Sequence, residues 1–295
     1  MKIYYGIHNH YLDVTDICRT TLHENQVMTI PCGDLQRANY FTDPCYGIPK
    51  KIFIEHDNQV REYDSSYKLK IHTLTHDVQV FHEQSIEDKI HALHETLVLK
   101  HGNFKEELPE QKMVLRYLTG KETVLEIGGN IGRNSLIIAS LVGNKLVTLE
   151  SNPDIALQLI ENRDVNQFLF HVECSALSKR KLIQQHWNTI PSDVLYPNYT
   201  WVNTITLDEL RMKYNMVFDT LVLDCEGAFY YMLMDMPEML DTIQLIIMEN
   251  DYYEMYKKEY IDYVLKQKHF YVDYSEKGGW GPCEDRFFEV WKKLK

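Results

Sequence analysis

From Pro109 onward, the apolar positions of the chain follow two alternating rhythms. Segments with helical spacing, such as "PEQKMVLRYLTG", "RNSLIIASLVG", "NPDIALQLIENRDV" and "EMYKKEYIDYVLKQ", alternate with short apolar runs. Those runs are "TVLEI", "KLVTLE", "LFHVEC", "DTLVLD" and "TIQLIIME". The first helix starts on Pro109 and stops on Gly120, and "TITLDELRMKY" starts with Thr206 and Glu209 spaced as a capping box. Strand and helix in strict alternation predict a parallel sheet covered by helices on both faces. "HFYVDY" and "RFFEVW" close the chain, joined by a loop too short for a crossover helix, so they are expected to pair antiparallel.

Upstream the period changes to two. "KIFIEHDNQVREYDSSYKLKIHTL" alternates apolar and polar residues on either side of Asp57-Asn58, which predicts a hairpin and a third strand, and "MKIYYGI" and "QVMTIP" add two more. Residues 1–84 therefore read as a small, mostly β domain. In "SIEDKIHALHETLVL", Ile86, Ile90, Leu93 and Leu97 recur at helical spacing behind a Ser85/Asp88 capping start. This helix connects the two parts within residues 85–108, and the α/β domain occupies 109–295.

Composition narrows the partners. The net charge of −12, from 31 basic against 43 acidic residues, sets up a field that repels phosphate backbones, so no nucleic acid is expected. No run approaches the roughly 18 apolar residues of a membrane span, and the opening residues lack a secretory core, so a cytoplasmic protein is expected. The 6 cysteines form no Cys-x-x-Cys pair, which argues against a disulfide framework or a zinc ribbon. Three histidine pairs, His8/His10, His72/His76 and His91/His94, lack accompanying cysteines and are not expected to bind metal. The N-terminal part is expected to shape an acceptor cleft or to form a homodimer contact.

The chemistry gathers at the strand ends, where ligands bind in sheets of this kind. "VLEIGGNIGRN" breaks from a buried strand into Gly128-x-Asn130-x-Gly132, and Ser135 stands where a dinucleotide fingerprint would have its last glycine. Nicotinamide cofactors are disfavoured by that spacing. Glu126, in the strand, would repel a pyrophosphate but suits a ligand with an ammonium group and a sulfonium. Glu150 ends the next strand, where a carboxylate can accept both hydroxyls of a ribose, and Asn152 follows it. Glu173 to Ala176 end the third strand, at the place of an adenine edge. Together these acids describe S-adenosyl-L-methionine.

"VLEIGGNIGRNSLIIASLVGNKLVTLESNPD", "TITLDEL" and "LVLDCEGAFYYML" resemble the successive motifs of the FkbM-type methyltransferases. That class I S-adenosylmethionine-dependent group is associated with O-methylation of sugars and natural products. The resemblance runs from about Thr123 to Asn250. It implies a Rossmann-like class I methyltransferase sheet, with Glu126, Gly128, Asn130 and Gly132 holding the methionine part, Glu150 the ribose, and Ser175 or Ala176 the adenine. The chain departs from the family at Val222 and Phe229, where a Lys and an acid are usual.

Transfer of a methyl group to an alcohol requires the oxygen to lose its proton, so a base or a Lewis-acid metal is needed. Asp224 ends the fourth strand, with Glu226 after it, and Glu249-Asn250 ends the fifth. Asp224, Glu249 and Asn250 are similar to the Mg²⁺ site of catechol-type O-methyltransferases, and oxygen ligands suit Mg²⁺ or another hard divalent cation. Asp224 alone as base is the alternative, with Glu226 either assisting or capping the next helix. Trp280 and Tyr252 offer aromatic faces for an acceptor. The expected activity is O-methylation of a saccharide or other polyhydroxyl acceptor. The alternatives are a small phenol or natural product as acceptor, or a non-catalytic methyltransferase-like binding module.

Overall fold

The computed structural model describes residues 1–24, 26–82, 86–186 and 188–294. It divides into two compact units, Met1–Ala92 and Leu93–Lys295. Among the described residues, no helix is long and apolar enough to cross a membrane.

The first unit holds β1 Lys2–Ile7, β2 His10–Asp13, α1 Thr15–Thr21, β3 His23–Glu24, β4 Val27–Ile30, α2 Asp34–Phe41, β5 Lys51–His56, β6 Gln59–Tyr63, β7 Tyr67–His72 and β8 Val78–His82. These make two four-stranded antiparallel sheets, in the orders β2-β1-β5-β6 and β3-β4-β7-β8. Asp57 and Asn58, both at positive φ, turn the hairpin of β5 and β6. The expected third strand, β7, pairs with β4 and β8 in the second of these sheets. The reason is local: Asp64 accepts the Ser66 N–H at 2.8 Å, a turn that carries the chain away from the hairpin. Ile3, Tyr5, Met28, Ile30, Phe41, Ile52, Leu69 and Ile71 form the core.

The helix α3, Ile86–Thr96, follows. The Ser85 part of its expected capping box lies outside the described residues.

The second unit continues with α4 Leu108–Tyr117, β9 Val124–Ile127, α5 Arg133–Val142, β10 Leu146–Leu149, α6 Pro153–Val165 and β11 His171–Glu173. The stretch between β11 and the next helix, to which apolar periodicity assigns no element, contains short strands: β12 Ala176–Leu177, β13 Leu182–Gln185, β14 Asn188–Pro191, β15 Thr200–Val202 and β16 Thr204–Ile205. Of these, β14-β13-β15 form a small antiparallel sheet. Then come α7 Leu207–Tyr214, β17 Thr220–Leu223, α8 Phe229–Asp235, β18 Leu245–Glu249, α9 Met255–Gln267, β19 Phe270–Glu276 and β20 Phe288–Lys293. The capping box at the start of α7 is present in both directions, between Thr206 and Glu209.

The main sheet is seven-stranded, in the order β11-β10-β9-β17-β18-β20-β19. Its pairs are parallel except those made by β20, which runs antiparallel to both β18 and β19. β9, β10 and β17 are buried at every residue, as strands covered on both faces must be. After β9 the chain steps outward through α5 to β10 and β11, then returns to the other side of β9 as β17 and β18. Right-handed crossovers taken in opposite directions place their helices on opposite faces. The arrangement is Rossmann-like, and the order reverses between β9 and β17, where a crevice opens beyond the strand ends.

Candidate functional site

Register aligns the chemistry. Ile127 pairs with both Leu149 and Leu223, and Leu223 pairs with Met248. The residues that follow, Gly128, Glu150, Asp224 and Glu249, are therefore brought level along one edge of the sheet. Backbone bonds tie the edge together: Gly128 N–H donates to Leu149 O at 3.0 Å, and Asp224 N–H to Ile127 O at 3.0 Å.

Gly128 has φ +91°, and a Cβ there would lie 1.5 Å from the Asp224 carbonyl oxygen. The first glycine of the motif is thus required by the neighbouring strand end. Asn130 also takes a left-handed turn, at φ 47°. Its N–H donates to Glu150 Oε2 at 3.0 Å, while Asn152 N–H donates to Oε1 at 2.8 Å. The Glu150 carboxylate is thereby clamped by two loop amides and faces an open cleft. Burial raises its pKa, with the amide bonds opposing.

Around Glu150 the cleft is lined by Ile127, Leu149, Ser151, Ser175, Ala176 and Leu177, and it extends to Asp224, Glu226 and Tyr231. Gly128 and Asn130 also face it. From above, Gln184 of β13 accepts from the Ser151 hydroxyl at 3.3 Å, so the small sheet flanks the opening.

Three residues expected at the methionine or ribose do other work. Asn152 caps α6, its side chain accepting from Asp154 and Ile155 N–H, and does not line the cleft. Gly132 begins α5 against Leu159. Glu126 points under the strand ends, where the Ser135 hydroxyl donates to it, and it lines a small side cavity instead. Burial pushes the pKa of Glu126 up to about 7, with its hydrogen bond from Ser135 opposing.

The ends of β17 and β18 carry a concentration of carboxyl groups. Asp224, Glu249 and Asp251 each offer an oxygen, and those oxygens lie within 4.8 Å of one another. Burial is the main cause that raises all three, and Asp251 is raised to about 7. Like charges add to the effect: Glu107, Asp251, Glu110 and Glu226 act on Asp224, and Asp224, Asp251 and Glu110 on Glu249. Glu226, at φ 48°, lines the cleft beside Asp224.

The tentative ligand Asn250 stands between Glu249 and Asp251 in the chain, and its Oδ1 is buried without a hydrogen-bond partner among the described residues. It is wholly buried, its Nδ2 donating to Arg286 O at 2.7 Å and its N–H to Phe287 O at 2.8 Å. Asp251, which the expected ligand set left out, joins Asp224 and Glu249. Tyr252, expected to offer a face to an acceptor, is not exposed. Tyr252 is buried at 3% exposure in the core, whereas Tyr253, at 72%, meets Trp280 with ring centroids 4.5 Å apart. Trp280 sits in the loop between β19 and β20, on the edge of the sheet that also carries Glu249, because Glu249 pairs with Phe288 and Phe288 with Glu276.

Sequence reasoning missed the acids at the start of α4. Glu107, at φ 58°, accepts from Asn130 Nδ2 at 3.0 Å and from Arg133 Nη1 at 2.7 Å. Glu110 shares the small cavity with Asp224, Glu126 and Asn134. The available signal was the run "KEELPE", with three acids ahead of the first strand-end motif; read alone it is only a helix start.

No family model matches the chain, and no curated protein matches it. Among solved structures it is similar to the ribosomal protein L11 methylase of Lactobacillus delbrueckii subsp. bulgaricus, with 13% identity, 66% of this chain and 81% of that one covered, and a TM-score of 0.41. An O-methyltransferase from Bacillus cereus in complex with SAH matches with 14% identity, 70% and 90% coverage and a TM-score of 0.41. A putative O-methyltransferase from Klebsiella pneumoniae matches with 13% identity, 72% and 91% coverage and a TM-score of 0.39. At such identities and scores, none of them bears on the chemistry of this chain.

Proposed function

We propose that the chain is an S-adenosylmethionine-dependent O-methyltransferase of the FkbM type whose acceptor is a saccharide or similar polyhydroxyl compound. The observation that carries this reading is Glu150, clamped by the Asn130 and Asn152 amides and facing the cleft at one end of a row of strand ends that finishes in Asp224. A carboxylate held this way has lone pairs left for a ribose diol. Ser175 and Ala176 lie where an adenine would meet the third strand, and Ile127, Leu149 and Leu177 supply apolar walls. An acid-rich far end suits a ligand whose reactive portion is cationic, and it does not suit a pyrophosphate.

S-adenosylmethionine, when bound, supplies a methyl carbon on a sulfonium, from which the bonding pair leaves to sulfur as the new O–CH₃ bond forms. The chain's contribution is to place that carbon beside Asp224 and to remove the acceptor's hydroxyl proton. Asp224 lines the cleft at that end and is the group we assign to take the proton. Glu226 borders the same space and can hold a second acceptor hydroxyl. The exposed Tyr253–Trp280 pair offers a stacking face for a sugar ring.

Transfer of a labelled methyl group from S-adenosylmethionine to a panel of mono- and disaccharides and catechols tests the reading, with S-adenosylhomocysteine binding measured alongside. Transfer to a sugar is expected. Transfer to a catechol alone would replace the acceptor class, and absence of S-adenosylhomocysteine binding would refute the cofactor.

A further inference from the structure

Between α3 and α4 the chain runs without helix or strand across residues 97–107, yet it is hydrogen-bonded along its length. Irregular backbone carries polar groups that must find partners. Two asparagines one turn apart on α6 supply them. Asn166 Oδ1 accepts the Val98 N–H at 2.8 Å, and its Nδ2 donates to Val98 O at 2.6 Å. Asn162, wholly buried, accepts the Lys100 and His101 N–H groups at 2.7 and 3.0 Å. Its Nδ2 donates to His101 O at 3.1 Å and to Ile131 O at 2.9 Å. One side-chain amide, with two acceptor and two donor positions filled, therefore ties residues 97–107 to the glycine turn that follows β9.

A second tie runs the other way. Arg133, 8% exposed at the start of α5, donates from Nε to Asn103 O at 2.9 Å and from Nη1 to Glu107 at 2.7 Å, with Nη2 on Glu106. Glu107 also accepts from Asn130 Nδ2 at 3.0 Å. Gly102, at φ +77°, lies so close to the turn that a Cβ there would stand 2.2 Å from Ile131 Cδ1. The described residues that line the cleft include none from 97–107, so this stretch acts on the cleft through the turn and not by touching a ligand.

The two ties converge on Asn130. Its backbone N–H clamps Glu150 while Glu107 holds its side chain. A residue other than glycine stays in the left-handed region, here φ 47°, only where its surroundings keep it there. We infer that residues 97–107 are a strap that sets the glycine turn in its binding conformation, with Glu107 and Asn162 as positioning residues for the Glu150 carboxylate. With the strap in place the Asn130 amide is already aimed at Glu150, so a ligand need not order the loop as it binds. That the ligand is S-adenosylmethionine rests on the methyltransferase reading; the strap rests on its own bonds.

The test combines amide hydrogen exchange of the full chain with calorimetry of S-adenosylhomocysteine binding. Glu107→Ala should speed exchange across residues 128–133 and weaken S-adenosylhomocysteine by about tenfold or more, with exchange in β18 unchanged, which a general loss of stability would not spare. Glu107→Gln keeps an oxygen for Asn130 Nδ2 and should hold the affinity within about threefold of the wild type. Adding Glu107→Ala to Asn130→Ala should cost less than about threefold further, because the bond between them is already gone. Native affinity in a folded Glu107→Ala chain, or full additivity of the two substitutions, would overturn the inference. Should Glu107→Ala not fold, Asn130→Ala removes the same bond from the other side, and native exchange and affinity there would overturn it equally. A wild-type chain that binds no S-adenosylhomocysteine would remove the methyltransferase reading and leave exchange at 128–133 to decide on the strap. Normal S-adenosylhomocysteine binding with exchange unaffected by Glu107→Ala would do the reverse.

Discussion

Gly128→Ala is the sharpest perturbation of the strand-end row. The residue sits at φ +91°, where an L side chain is strained by about 1–2 kcal/mol. Its new Cβ would also fall 1.5 Å from the Asp224 carbonyl oxygen, a collision of the added carbon with backbone that no rotamer relieves. The strand ends must part, which gives up the Asp224 N–H to Ile127 O bond, about 1 kcal/mol, and repacks the neighbourhood for about 1–3 kcal/mol more. The total is about 3–6 kcal/mol, a large fraction of a domain's stability. At roughly 2–4 °C per kcal/mol for a unit of this size, the melting temperature should fall by about 10–20 °C. Gly143→Ala is the control: φ is +66° there but nothing lies within 4 Å of the added carbon, so only the strain of about 1–2 kcal/mol applies. Urea and thermal unfolding of the two variants decide the matter. A Gly128→Ala chain within about 1 kcal/mol of Gly143→Ala would refute the close approach of β9 and β17.

Other expectations follow from the same geometry. Asp224→Ala should lower methyl transfer by at least about 100-fold while leaving S-adenosylhomocysteine affinity nearly intact, and undiminished turnover would remove Asp224 as the base. Glu150→Ala should weaken S-adenosylhomocysteine binding by about 10- to 150-fold, from about 1.5–3 kcal/mol for hydrogen bonds to a charged group, and calorimetry reads this directly. Glu126 has a folded-state pKa raised from 4.5 to about 7, so its protonated form is the one that folding favours. Its contribution is fully present below pH 4.5 and is lost as pH rises through 7, about 3 kcal/mol in all. Urea unfolding at pH 4.5 and pH 8 should therefore show a smaller loss of stability in Glu126→Gln than in the wild type, and equal losses would contradict the burial of that acid.

By itself the sequence determined the α/β order of residues 109–295, the antiparallel closing hairpin and the positions of the glycine turn and the strand-end acids. These are legible because apolar periodicity and capping residues act within a few neighbours, as with Thr206 and Glu209, which meet as their spacing requires. Which acids meet was decided by the tertiary structure. Asp251 joins Asp224 and Glu249, and Tyr253 rather than Tyr252 meets Trp280, placements that follow from where the chain leaves β18 beside β20. Glu107 and Glu110 come to the site from the start of α4, which no local pattern connects to β17. Glu126 and Asn152 have the residue types of ligand contacts, but Ser135 and the α6 amides claim them first. Even Gly128 owes its necessity to the Asp224 carbonyl, 96 residues away in sequence and in contact only once β9 and β17 are paired. Local pattern assigns elements; the charge and shape of a site depend on distant segments, whose juxtaposition only the folded sheet defines.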